Sequence, residues 1–146
     1  MVKFINRTYF LLFAFVFIGC NFNANLSYEN EISERENAES VAGKLYWHLS
    51  KNELSQIPSL FGDSFFETSD TQGLLNFLTE KRNTCGQFKE YKLISWKTHR
   101  TTGTNPISQY LLVYDVQYTK QVATEEISLI KEEGKIMISG YRVSKK

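Results

Sequence analysis

Between residues 34 and 50 the apolar side chains fall at Ala38, Val41, Ala42, Leu45 and Leu49. This spacing of three and four gathers them on one face of a helix. Ser33, with Glu36 three positions later, reads as a capping box at its start. A second helix is predicted over 53–60, with Ser50 or Asn52 as its cap, and Pro58 inside it limits it to a turn or so. Phe61 and Gly62 then turn into Ser64, Phe65 and Phe66, a small apolar plug. A third helix is predicted over 71–84. Asp70 caps it, Leu74, Leu75 and Leu78 share a face, Lys81 and Arg82 suit the negative end of its dipole, and Gly86 closes it.

Beyond Gly86 the period changes to two. Strands are predicted over 88–98, 109–119, 125–131 and 135–144. The second of them alternates cleanly. Tyr110, Leu112, Tyr114, Val116 and Tyr118 fall on one face, and Leu111, Val113, Asp115 and Gln117 on the other. Glu133 and Gly134 join the last two strands as a hairpin. Helices followed by closely connected strands give an α+β domain: N-terminal helices packed on an antiparallel sheet of about four strands.

The first twenty residues follow a different pattern. Lys3 and Arg7 precede an unbroken apolar run over 9–18, and Gly19 and Cys20 close it. A positive start followed by a short apolar run has the physical form of an export signal. The run is half of the ~20 residues a spanning helix needs. The junction Phe17-Ile18-Gly19-Cys20 resembles the lipobox of bacterial lipoproteins, with Phe17 in place of the usual leucine. The resemblance implies a signal peptide over 1–19, lipid on the Cys20 thiol, and a membrane partner reached through that lipid. The alternative is an ordinary secretory signal that contains a cysteine. Two or more acyl chains hold a protein firmly to a bilayer. Residues 20–33 then read as the lipidated cysteine and a polar tether that lets the domain stand off the membrane, and 34–146 as the domain itself. Asn21 is not the aspartate that retains some lipoproteins in the inner membrane, and no acidic run follows Cys20. The expected location is the bacterial cell envelope, facing the periplasm.

Charge narrows the partners. The chain has 17 basic and 16 acidic residues, and Lys3 and Arg7 belong to the leader, so 15 basic residues face 16 acidic ones in the remainder. No basic stripe is left to neutralise phosphates, which argues against a nucleic-acid partner. With Cys20 carrying lipid, Cys85 stands alone and reads as a small buried hydrophobe. His48 and His99 are the only histidines, and both read as partly exposed and non-catalytic. No metal-ligand spacing, nucleophile elbow or glycine-rich phosphate loop occurs. No catalytic residue, metal ligand or cofactor is assigned.

Several residues resemble one group of exported bacterial proteins. They are Arg82 four positions before Gly86, the run Glu125-Glu126-Ile127-Ser128-Leu129, Gly134, and Ile136-Met137-Ile138-Ser139-Gly140-Tyr141. That group comprises small domains of unknown function with a nuclear transport factor 2-like (cystatin-like) fold. The resemblance spans roughly 34–143, with Ile136 where the group usually carries Trp. It implies a curved sheet wrapped over a long N-terminal helix, leaving a cone-shaped cavity. Within that picture Arg82 is the expected partner of Glu125, either as an ion pair fixing the third helix on the sheet or as a pair gripping a ligand. Tyr46, Trp47, Tyr110, Tyr114 and Tyr118 are candidates for an aromatic cavity wall, or for simple packing between sheet and helix. Asp115 reads as outward-facing, with a general base as the alternative. The expected function is a non-enzymatic binding or accessory module for a small apolar ligand or a protein partner. The alternative is a small isomerase or dehydratase using a cavity carboxylate.

Overall fold

A computed structural model describes residues 26–146. The chain opens with a short strand β1 (Ser27–Glu29) and the long helix α1 (Ile32–Lys51), followed by a 3₁₀ segment, Leu54–Leu60, and a single helical turn α2 (Asp63–Phe66). Helix α3 (Thr71–Cys85) leads into four long strands: β2 (Phe88–Thr101), β3 (Ser108–Tyr118), β4 (Val122–Glu132) and β5 (Lys135–Lys145). The five strands form one antiparallel sheet in the order β1-β2-β3-β4-β5, with its two ends unjoined. This is the α+β arrangement expected from the order of periods, with the helices on one face of an open sheet.

The core lies between α1, α3 and the inner face of the sheet. Ala38, Ala42 and Leu45 of α1 have no exposed surface, and the small alanines let the helix lie close against the strands. The predicted alternation of β3 holds, with Tyr110, Leu112, Tyr114, Val116 and Tyr118 all buried. Two hairpin residues, Glu133 at φ 46° and Gly134 at φ 81°, form the tight left-handed turn that matches strand twist between β4 and β5.

Four local expectations are corrected. Ser33 and Glu36 do not cap α1. The helix starts at Ile32 after an extended Glu31, whose side chain makes no cap. Here a tertiary tie replaces local capping, because Glu31 N donates to Thr98 Oγ1 at 3.0 Å and Asn30 N to Thr98 O at 2.9 Å. Asn52 does not start the second helix but ends α1 in the left-handed conformation at φ 59°. The 53–60 segment is a 3₁₀ run containing Pro58 rather than an α-helix. The sheet also has a fifth strand, β1, inside the stretch read as tether, pairing Ser27 with Thr101 and Glu29 with His99.

Both ends of α3 are built as its sequence suggests. Asp70 accepts a hydrogen bond from Gly73 N at 2.6 Å. Gly86 sits at φ 90°, where an added Cβ would collide with Thr119 Oγ1 and lie 3.1 Å from Lys120 N. Asp70→Ala should therefore cost about 1 kcal/mol. Gly86→Ala should cost more than ~1 kcal/mol, since it meets both an unfavourable φ and backbone atoms. Urea unfolding of each variant checks both, and a neutral Gly86→Ala would contradict the close approach of α3 to the β3–β4 turn.

Candidate functional site

Five elements aim polar side chains at one point in the core. On α3 the buried positions are Leu74, Leu78, Lys81 and Cys85, a single stripe at spacings of four, three and four. Lys81 is thus held on the core face by the helical period itself. On β4 the inward positions are Ala123, Glu125, Ile127 and Leu129, and Glu125 has no exposed surface. Tyr118 is the last inward residue of β3, and Tyr46 comes from α1. On β5 a register shift opposite Ser128 and Leu129 changes the phase of alternation, so that Tyr141 and not Gly140 turns inward.

The Glu125 carboxylate is the meeting point. Its Oε1 accepts from the Tyr118 hydroxyl at 2.5 Å and from Lys81 Nζ at 3.2 Å. Its Oε2 accepts from the hydroxyls of Tyr141 at 2.5 Å and Tyr46 at 3.2 Å. Lys81 Nζ also donates to Tyr118 Oη at 2.7 Å and to Tyr141 Oη at 2.5 Å. A carboxylate offers about four acceptor positions and an ammonium three donors. All are taken, and the two tyrosines that accept from Lys81 pass a hydrogen on to Glu125. Burial pulls the Lys81 ammonium below its ordinary value, against the opposing pull of Glu125. Burial first, and the Glu125 charge second, push the hydroxyls of Tyr46, Tyr118 and Tyr141 far above theirs.

A pocket of about 160 Å³ opens beside this cluster, between the C-terminal ends of α1 and α3 and the start of β2. Lys81 and Tyr118 are its buried polar lining residues, beside the fully buried Leu78. Leu49, Leu54, Leu78 and Phe88 supply apolar wall, and Lys51, Asn52 and Arg82 stand around the mouth.

The structure redistributes the sequence candidates. Glu125 is paired, but with Lys81 rather than Arg82. One residue is 100° of helix turn, so Arg82 points to the pocket mouth, where its Nη1 donates to Asn52 Oδ1 and ties α3 to the end of α1. Tyr46 is buried in the cluster and stacks on Tyr91 with ring centroids 4.2 Å apart. Tyr114 packs edge-on against Tyr46 at 5.3 Å. Tyr110 lies toward the other end of the sheet and donates to Glu34 Oε2 at 2.6 Å, and burial pushes its hydroxyl up to about 12. Of the tyrosines read as cavity wall, Tyr118 alone lines this pocket, while Trp47 is largely exposed with Lys51 Nζ over its ring. Asp115 faces outward and pairs with Lys146. His48 and His99 pair with Glu53 and Glu29. Cys85 is buried, its Sγ accepting from Gln121 Nε2 at 3.0 Å. Cys20 and the residues read as an export signal lie outside the described residues.

Among the described residues no group of three His, Cys, Asp or Glu side chains gathers as a metal site, and no helix is long and apolar enough to cross a membrane. No family model, curated protein or solved structure matches this chain.

Lys81 and Tyr141 were not among the sequence candidates for the site, and only Lys81 left a signal. Lys81 stands three positions after Leu78 and four before Cys85, on the stripe those residues define. Tyr141 has no such mark, because the β5 register shift hides its phase.

The pairing has a direct energetic test. Lys81→Met leaves a stranded buried carboxylate and should cost about 3–5 kcal/mol, whereas Lys81→Met with Glu125→Leu should recover much of the loss. Arg82→Gln should cost under ~1 kcal/mol. A double-mutant cycle by urea unfolding measures the coupling, and a value near zero for Lys81 and Glu125 would refute the geometry.

A second test is alkaline titration. Because the folded values of Tyr46, Tyr118 and Tyr141 lie above the unfolded value of ~10, their stabilisation is complete below pH ~10 and is lost as pH rises further. Lys81 works oppositely, since its lowered value makes stability grow as pH approaches ~10.5 from below. The melting temperature should therefore fall above pH ~10, with much of the tyrosinate absorbance appearing only as the protein unfolds. Ionisation of all tyrosines in the intact fold would contradict the buried cluster.

Proposed function

We propose that this protein is a lipid-anchored binding module of the bacterial cell envelope, holding a small molecule without transforming it. We read the domain as a variant of the nuclear transport factor 2-like (cystatin-like) fold, facing the periplasm. The observation that carries the binding reading is the pocket against a polar cluster whose donors and acceptors are already saturated. A catalytic base needs an open lone pair in contact with substrate. Glu125 has none, and it lies behind Lys81 and Tyr118 instead of lining the pocket.

The ends of the domain support the orientation. Thr102 N donates to Leu26 O at 2.9 Å, so the chain arrives from the leader at the end of the sheet that carries the β2–β3 loop. The pocket is at the opposite end, beyond the roughly 30 Å that the twenty residues of α1 span at ~1.5 Å each. Only residues 21–25 separate Cys20 from Leu26, a reach of at most ~20 Å. A domain anchored at Cys20 would keep its loops near the lipid headgroups and its pocket open to the aqueous side.

One observation favours a second reading. Tyr118 and Lys81 line the pocket with a carboxylate directly behind them, the residue types an isomerase or dehydratase uses. Turnover of a small carbonyl compound that vanished in Tyr118→Phe, with the fold intact by circular dichroism, would establish that reading in place of binding.

The anchor is tested on Cys20. Cys20→Ser should move the protein from the membrane to the soluble fraction, because the acyl chains alone hold it. A Ser variant that stayed with the membrane would make the leader the anchor, and the lipoprotein reading would fail.

A further inference from the structure

We propose that this pocket selects a small organic anion, a carboxylate carried on a short apolar body, and that Arg82 grips it. The inference rests on the binding-module reading and adds the chemical class of the ligand.

Twelve residues line the pocket, among them Lys51, Lys81 and Arg82, and none of the twelve is acidic. The charge of Lys81 is answered by Glu125 and its three donors are occupied, so it contributes little to a ligand. Lys51 and Arg82 have no carboxylate among their ion pairs within the described residues. Arg82 spends one contact on Asn52 Oδ1, and a guanidinium has five N–H groups in a planar fork. That fork matches a carboxylate in two parallel hydrogen bonds.

The negative ends of two helices also meet here and would oppose an anion. Their carbonyls are largely capped. On α1, His48 O accepts from Glu53 N at 2.9 Å and Leu49 O from Asn52 N at 3.2 Å. On α3, Arg82 O accepts from Gly86 N at 2.9 Å, Cys85 O from Lys120 N at 3.0 Å, and Asn83 O from Lys120 Nζ at 2.7 Å. The exposed cations therefore outweigh the capped dipoles at the mouth. The apolar wall and the volume of about 160 Å³ suit a body near the size of one six-membered ring.

Benzoate, benzyl alcohol and benzylamine share that body and differ in charge. The test uses the full-length protein as the cell processes it, purified in mild detergent, with thermal shift followed by calorimetry. Benzoate should raise the melting temperature with a saturable concentration dependence, and benzylamine should not. Arg82→Gln should weaken benzoate at least about tenfold while leaving any shift from benzyl alcohol unchanged. Arg82→Lys, which keeps the charge and loses the fork, should fall between. Circular dichroism verifies that each variant is folded. Equal shifts from benzoate and benzyl alcohol, both removed by narrowing the pocket with Leu54→Trp, would overturn the anion inference and leave the binding reading standing. An absence of any shift from all three compounds would overturn both.

Discussion

Burying the Glu125 carboxylate in the inner face of the sheet dictates how the surrounding elements can pack. An ion taken out of water costs several kcal/mol unless its lone pairs are met by donors. The fold meets them from four directions, with Lys81 from α3, Tyr46 from α1, Tyr118 from β3 and Tyr141 from β5. Each donor has a short range of useful distances, so the two helices and three strands are fixed in register by one group. Apolar packing alone would let α3 slide or rotate on the sheet with modest loss. A helix that must place an ammonium within reach of two phenols and a carboxylate cannot.

This constraint also shapes the pocket. Its floor is made of side chains whose hydrogen bonds are all committed, so it is rigid and offers a ligand little polar contact. Uncommitted polar donors lie instead at the mouth, where Arg82 is tied by a single contact to Asn52 and the apolar wall ends. The polar groups that hold the fold together and those available to a ligand are thus adjacent residues of one helix turn, Lys81 facing inward and Arg82 facing out.

Much of the architecture was legible as periodicity. The stripes of α1 and α3, the alternation of β3, the Asp70 cap, the Gly86 stop and the turn at Glu133 and Gly134 are local features, and local sequence specifies them. The misses are places where a tertiary contact outweighs a local preference or where the period slips. Thr98 anchors the backbone before α1, so helix start follows that tie and not the capping box at Ser33. Ser27–Glu29 is a strand because it can pair with the end of β2, a fact no pattern in three residues can carry. A shift of register in β5 opposite Ser128 resets the alternation and sends Tyr141 in. For the site, the buried acid at Glu125 was visible in the alternation of β4, but the basic partner was placed one residue too far along α3. Lys81 and Arg82 are both cations at the same helix end. The stripe of Leu74, Leu78 and Cys85 distinguishes them, and the pairing follows the stripe.

The saturation of the cluster bears on what this scaffold can do. In a site evolved for proton transfer a base is kept partly unsatisfied, because an open lone pair directed at substrate is what the reaction uses. To make Glu125 such a base, at least one of its four donors would have to withdraw. Each is held by an element that would then lose its anchor. Loss of Tyr118 or Tyr141 would also strip Lys81 of an acceptor, coupling catalytic opening to loosening of α3. A ligand held at the mouth makes no such demand, since Arg82 can turn toward it without disturbing the core. The cost of freeing Glu125 therefore falls on the fold itself, and this favours a binding role for the pocket over a chemical one.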